Sequence, residues 1–236
     1  MQVFAHRGAS GEFPENTLLA IEAAIQQGAD GIELDVQQAL DDLAVTHDRY
    51  YKSGDDYHSV ASTPMQALQQ HALPENQFIP TLTQVMQCIS GRCAVNIELK
   101  TLIQFDAFKH LLTSAINEYQ FAPEQIIVSA FNHHILKVIQ EWDLGVEIAA
   151  LTSSLYLDLA SFAVNMGANA VHADVNALTP SLVEDAHQFG LAVRVYTVDL
   201  PQDIEMLQKW GVDAIFSNFP KRAKQLIAEN QYKLNR

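Results

Sequence analysis

Two short segments carry acidic side chains at a spacing that points to a bound cation. In Gly31-Ile32-Glu33-Leu34-Asp35-Val36, apolar residues alternate with two carboxylates. Successive side chains of an extended strand point to opposite faces, so Ile32, Leu34 and Val36 share one face and Glu33 and Asp35 the other. Carboxylates held side by side away from water repel one another and resist ionisation unless positive charge stands between them. A hard divalent cation, which takes oxygen ligands, supplies that charge. Alone, the segment also fits a strand whose polar face meets solvent. Asn96-Ile97-Glu98-Leu99-Lys100 repeats the pattern. If the two strands are neighbours, Glu98 becomes a third oxygen ligand. Lys100, further along the same face, then reaches a phosphate oxygen.

Two histidines extend the set. His6 precedes Arg7 and Gly8 at the end of a short apolar run, and His47 precedes Asp48. Histidine exchanges a proton near neutral pH. Arginine offers a planar fork to a phosphate or a carboxylate, and glycine permits a sharp turn just after a strand. Two histidines flanking a phosphodiester would deprotonate the attacking oxygen and protonate the leaving alkoxide. Either dipeptide alone is weak evidence.

These residues need a scaffold that brings several strand ends together. Short apolar runs alternate along the chain with amphipathic segments. The expected strands are Val3–Ala5, Gly31–Val36, Ala94–Leu99, Ile126–Ser129, Glu147–Leu151, Ala170–Ala173, Ala192–Thr197 and Ala214–Ser217. Helical spacing covers Thr17–Gln27, Leu82–Ile89, Ala107–Glu118, Ile135–Trp142, Leu155–Met166, Ser181–Phe189, Ile204–Trp210 and Lys221–Glu229. Thr81 with Gln84 predicts a capping box, and Thr179-Pro180 an N-cap followed by a first-turn proline. The phrase Gly-x-Asp/Asn recurs at Gly28–Asp30, Gly167–Asn169 and Gly211–Asp213, each time between a helix and a strand. Repeated βα modules with right-handed crossovers predict an α/β protein, a (β/α)8 TIM barrel whose active residues lie at the C-terminal ends of the strands. Polar residues 41–80 break the rhythm, with a short strand-like Ala44–His47. We read them as a small insertion after strand 2, lying over the barrel mouth, within a single domain spanning residues 1–236. His172 ends a candidate strand and is by position a further candidate for the mouth. The remaining histidines fall in loops or on helices.

Composition narrows the function classes. The chain has 14 basic and 28 acidic residues, a net charge of −14, which disfavours nucleic acid and anionic membranes as partners. Cys88 and Cys93 form no metal-binding spacing and are expected as reduced thiols. The N-terminal residues lack the pattern of a secretion signal, and no apolar run approaches the roughly 18 residues that span a bilayer. A cytoplasmic protein without stable membrane association is expected.

Together the segments resemble a known family. His6-Arg7-Gly8, Pro14-Glu15-Asn16-Thr17 and Gly28–Val36 match successive signatures of the glycerophosphodiester phosphodiesterases. His47-Asp48, Pro80-Thr81-Leu82, Asn96–Lys100, Ser129-Ala130-Phe131, Val195–Asp199 and Trp210–Ile215 follow in family order. The resemblance implies metal-dependent hydrolysis of a small-molecule glycerophosphodiester to glycerol 3-phosphate and an alcohol. It assigns His6 and His47 as the acid–base pair and Glu33, Asp35 and Glu98 as ligands of a divalent metal ion, Ca2+ or Mg2+. Arg7 and Lys100 would contact phosphate, with Glu15 orienting Arg7, Asn16 supporting the turn, and Phe131 and Tyr196 walling the glycerol unit. Three places depart from the family pattern: Ala39-Leu40-Asp41-Asp42 lacks its Thr-x-Asp-Gly turn, Lys52-Ser53-Gly54 replaces an Arg-Thr-Thr run, and Ser217-Asn218-Phe219-Pro220 replaces Thr-Asp-x-Pro. A lysophospholipase D-like enzyme and a noncatalytic phosphate-ester-binding barrel are the alternatives. The headgroup alcohol, the metal's identity, the oligomeric state, which histidine is the base and whether a cyclic phosphate forms are left open.

Overall fold

The apolar runs form strands in the computed structural model, which describes residues 1–234. In chain order these are β1 (Gln2–His6), β2 (Gly31–Gln38), β3 (Leu43–Val45), β4 (Tyr50–Ser53), β5 (Asp56–Ser59), β6 (Ala94–Leu99), β7 (Ile126–Ala130), β8 (Glu147–Thr152), β9 (Ala170–Asp174), β10 (Ala192–Tyr196) and β11 (Ala214–Ser217). The helices are α1 (Leu18–Gln26), α2 (Met65–Leu68), α3 (Leu82–Ile89), α4 (Phe105–Asn117), α5 (His133–Gln140), α6 (Ser161–Met166), α7 (Pro180–Gln188), α8 (Pro201–Lys209) and α9 (Pro220–Leu234). Strands β1, β2 and β6 through β11 run parallel, and β1 pairs with both β2 and β11, closing an eight-stranded (β/α)8 barrel.

Side-chain alternation explains the layers. Ile32, Leu34 and Val36 of β2 face outward into the large core shared with Leu82, Val85 and Met86 of α3. The opposite face points into the barrel. There Phe4, Ile127, Ala149, Ala170, Ala214 and Phe216 form a separate apolar plug. Gly31 belongs to this packing, because a Cβ at that position would lie 2.3 Å from the Phe4 ring. Further inward positions, Glu33, Asp35, Asn96, Ser129, His172 and Arg194, are polar and buried.

The recurring Gly-x-Asp/Asn phrase has a structural purpose. Its acidic or amide residue holds the first residues of the preceding barrel strand at two points. Asp30 donates its N–H to the Val3 carbonyl (2.9 Å) and accepts from the Val3 N–H through Oδ2 (2.8 Å). Asn169 does the same to Ile148 (2.8 and 2.9 Å), and Asp213 to Val193 (3.0 and 2.7 Å). Each clamp satisfies backbone groups beyond the regular ladder. Both anticipated caps form: Thr81 and Gln84 make a capping box on α3, and the Thr179 hydroxyl accepts from Leu182 N–H on α7.

The insertion departs from its expected outline. Strand β2 continues to Gln38, and β3 pairs with it antiparallel (Val36↔Val45), stopping two residues before His47. A two-stranded hairpin, β4–β5, follows, with Tyr51 packed against His58 and His71. Its residues are largely exposed and polar, so no apolar alternation announced it. The helix expected over Leu155–Met166 is shorter, starting at Ser161. Leu159 takes a positive φ of 51°, which a right-handed helix does not accommodate, and the apolar spacing before it belongs to a loop.

Candidate active site

The middle of β2 supplies Glu33 and Asp35, and β6 lies beside it in the register Asp35↔Glu98. The three carboxylates each offer an oxygen within 4.8 Å of the others. Among the described residues this is the one cluster with that property. His6 ends β1 opposite Glu33, its Nε2 3.9 Å from Glu33 Oε2. His47 is carried by the residues after β3. Thr46 N–H donates to the Asp35 carbonyl (3.0 Å) and Gln37 Nε2 to the His47 carbonyl (2.8 Å), so the insertion is pinned to the end of β2.

Two of the carboxylates and both histidines border one cavity of about 190 Å³. His6, Arg7, Glu33, His47, Glu98 and Lys100 line it, joined by Phe131 and Tyr196. Asp35 lies just behind, held by Arg7 Nε (2.9 Å), Lys100 Nζ (3.0 Å) and Asn16 Nδ2 (2.9 Å). Lys100 also pairs with Glu98. Glu15 clasps Arg7 Nη1 through both oxygens at 3.0 Å. Gly8, at φ +79°, turns the chain after His6-Arg7 so tightly that a Cβ would lie 2.7 Å from the Ala20 backbone. That turn aims the Arg7 N–H at Glu33 Oε2 (2.9 Å). Phe131 and Tyr196 meet edge to face at 6.3 Å, and the Tyr196 hydroxyl is taken by the Thr152 carbonyl (2.9 Å).

The charges are unequal in consequence. Burial pushes the Glu33 carboxyl well above the usual range, and the charges of Asp35 and Glu98 push it further. Burial acts on Asp35 in the same direction, but Lys100 and Arg7 outweigh it and hold Asp35 low. Burial raises Glu98 despite Lys100. Glu33 Oε1 is buried and has no hydrogen-bond partner among the described residues. An orphaned carboxylate oxygen facing two further carboxylates marks a place short of positive charge, and the oxygen donors fit a hard divalent cation.

Two residues near His6 were not singled out from the sequence. Asp199, just after β10, accepts from Ser217 Oγ, Asn218 N–H and Asn218 Nδ2 (2.7, 2.9 and 2.6 Å). The last bond turns the Asn218 carbonyl oxygen toward His6 Nδ1, 2.8 Å away. An amide oxygen only accepts, so His6 carries its proton on Nδ1 and leaves the Nε2 lone pair free. Burial, then the Arg7 charge, lowers the His6 pKa below the ordinary histidine value, which favours the neutral ring. The available signal was position, since both residues follow barrel strands at their C-terminal ends.

A barrel with buried carboxylates and histidines at its mouth has the form of an enzyme active site, and comparison with known proteins assigns the family. Residues 6–222 match the model of the Glycerophosphoryl diester phosphodiesterase family, and the chain belongs to that family. A glycerophosphodiester phosphodiesterase of Caldanaerobacter subterraneus subsp. tengcongensis is 33% identical over 95% of this chain and 97% of its own. Among solved structures, a putative glycerophosphoryl diester phosphodiesterase from Silicibacter pomeroyi DSS-3 shares the fold, with a TM-score of 0.86 at 20% identity, covering 97% and 93% of the two chains. An Oleispira antarctica phosphodiesterase in complex with the product sn-glycerol-3-phosphate superposes with a TM-score of 0.81 at 24% identity, covering 97% of each chain.

Proposed function

We propose that this chain hydrolyses glycerophosphodiesters to sn-glycerol 3-phosphate and an alcohol. The observation that carries this reading is the meeting of Glu33, Asp35 and Glu98 with His6, His47, Arg7 and Lys100 around one cavity. Family membership, the activity named for the Caldanaerobacter relative and the product bound to the Oleispira enzyme support the substrate class. Glu33, Asp35 and Glu98 would hold a divalent cation, Ca2+ or Mg2+, which when bound supplies positive charge to the phosphoryl oxygens.

The chain's own groups do the rest. His6 Nε2 accepts the proton of the attacking oxygen, that of water or of the glycerol 2-hydroxyl with water then opening the cyclic phosphate, because Asn218 holds the other ring proton on Nδ1. His47 delivers a proton to the leaving alkoxide, its Nδ1 anchored 2.9 Å from Asp48 Oδ1. Arg7 and Lys100 bind the non-bridging phosphate oxygens while retaining Asp35 as counter-ion. Glu15 orients Arg7, and Asn16 steadies Asp35 and the first loop. Phe131 and Tyr196 wall the glycerol unit. In this reading residues 1–236 work as one cytoplasmic domain, with approximately 41–80 inserted to carry His47. Among the described residues no helix is long and apolar enough to cross a membrane.

The tautomer makes a pH prediction. His6 acts as a base only when neutral, so activity falls as pH drops through its pKa. Asn218→Asp, which restores the family's Thr-Asp-x-Pro acid, sets a carboxylate against Nδ1–H and stabilises the imidazolium. The acid limb of kcat/KM should move to higher pH by about 1 unit. A pH–rate profile identical to that of the unsubstituted protein would remove this contact from the mechanism.

A panel of glycerophosphodiesters with detection of glycerol 3-phosphate, run beside lysophospholipids, tests the function itself. Ile103, Phe131 and Leu157 are exposed in the loops after β6, β7 and β8, on the mouth side, and this favours including lysolipids. Release of glycerol 3-phosphate from the water-soluble diesters is expected. Turnover of lysolipids alone would replace the proposed substrate class, and silence on both would reject catalysis.

A further inference from the structure

A buried group inside the barrel remains unexplained by the acid–base and cation sites. Glu147, at the start of β8, grips Arg194 of β10 through paired bonds, Nη1–Oε1 at 2.5 Å and Nη2–Oε2 at 3.0 Å. The guanidinium lies over the Phe4 ring, 5.7 Å from its centroid. The same Nη1 is 3.1 Å from Nε2 of His172. A guanidinium has donors and no acceptor, so Nε2 must be the accepting nitrogen. The neutral His172 ring therefore carries its proton on Nδ1. Burial and the Arg194 charge both oppose a second proton, which keeps the ring in this single donor form.

That donor has no partner among the described residues. His172 is 0% exposed, and its Nδ1 is buried without a hydrogen bond. Buried donors are rarely left unmatched. The ring packs against Phe216, with centroids 5.1 Å apart, and borders the active-site cavity. Its neighbours on that wall, Phe131, Leu151 and Phe216, have no polar side-chain atoms, and the Tyr196 hydroxyl is already committed to Thr152. In the β9–β10 register His172 pairs with Arg194, one inward position deeper than Asp174 and Tyr196. Beside these side chains His172 presents an oriented donor, below the mouth of the cavity; Asn96 and Thr197 border the same cavity with other neutral polar side chains.

We infer that His172 Nδ1–H donates a hydrogen bond to the terminal hydroxyl of the bound glycerol unit, the oxygen furthest from phosphorus. The inference rests on the proposed glycerophosphodiester reading and adds to it a residue that selects glycerol over less hydroxylated alcohols. Glu147 and Arg194 act through His172, as positioning residues that fix its tautomer.

The test compares kcat/KM for a glycerophosphodiester with that for the matching diester of propane-1,2-diol, in which the terminal CH2OH is CH3 and the 2-hydroxyl is kept. The unsubstituted enzyme should prefer the glycerol diester by about 100-fold or more, because the analogue strands a buried donor. His172→Gln retains an oxygen to accept from Arg194 but places no donor at the Nδ1 position, and should narrow that ratio by about 10-fold or more. His172→Asn, whose amide nitrogen stands near the lost Nδ1, should keep more of the preference than the glutamine variant. Both substrates are measured on one preparation, so any loss of folded enzyme cancels from the ratio. An active enzyme whose ratio is the same with and without His172 would overturn the inference and assign the donor to a buried water. Failure of the unsubstituted protein to cleave either diester would instead reject the phosphodiesterase reading on which the inference stands.

Discussion

Treatment with EDTA should reduce glycerophosphodiester hydrolysis by about 1,000-fold or more, and Ca2+ or Mg2+ should restore it. The expectation follows from the acidic cluster. Glu33 and Glu98 are both pushed upward by burial, and Glu33 Oε1 has no donor among the described residues. Arg7 and Lys100 relieve chiefly Asp35. Without a cation the cheapest way to remove the remaining repulsion is a proton on Glu33. Proton and metal ion therefore compete for the same oxygens, and metal affinity should rise with pH as that proton is lost. Titration calorimetry in buffers of different ionisation enthalpy reads the released proton directly. Glu98→Gln should weaken metal binding while leaving the β6 ladder intact, since the Glu98 side chain makes no strand hydrogen bond. Full activity in chelator would remove the metal from the reaction.

Substitution of either histidine should cost about 100-fold or more in kcat, and the two losses should differ in kind. His6→Ala removes the base, so its defect should persist whichever alcohol leaves. His47→Ala removes the proton donor to the leaving alkoxide, so its defect should shrink with a glycerophosphodiester whose leaving group is an acidic phenol. Such a group departs without protonation. Circular dichroism and thermal melting of both variants control for folding. His47 is partly exposed on the insertion, and its loss should leave the barrel unaffected. Equal defects on both leaving groups would reverse or abolish the division of labour between the histidines. An unsubstituted rate in either variant would remove that residue from catalysis.

Much of the scaffold was legible because its signals are local. Strand alternation over Gly31–Val36 placed Glu33 and Asp35 on one face without any knowledge of the barrel, and the barrel turned that face inward. The caps at Thr81 and Thr179 depend on groups three residues away. The β4–β5 hairpin escaped because an exposed pair of strands needs no apolar face, and α6 began late because the conformation of Leu159 overrides the apolar spacing around it. The purpose of the Gly-x-Asp/Asn phrase was also hidden. The repeat was visible, but the bonds it makes reach a strand 20 to 27 residues earlier.

The acids, the histidines and the rhythm of strands and helices follow from residue type and short-range spacing, where backbone geometry admits few choices. Proton placement is another matter. His6 is set by Asn218, 212 residues away, and that contact exists only because β11 closes onto β1. His172 is set by Arg194, which Glu147 holds from across β9, the strand between β8 and β10. A tautomer depends on which donor or acceptor stands within about 3 Å of a ring nitrogen. Closure of β11 onto β1 brings the first pair so near, and the register of the neighbouring strands β8, β9 and β10 the second.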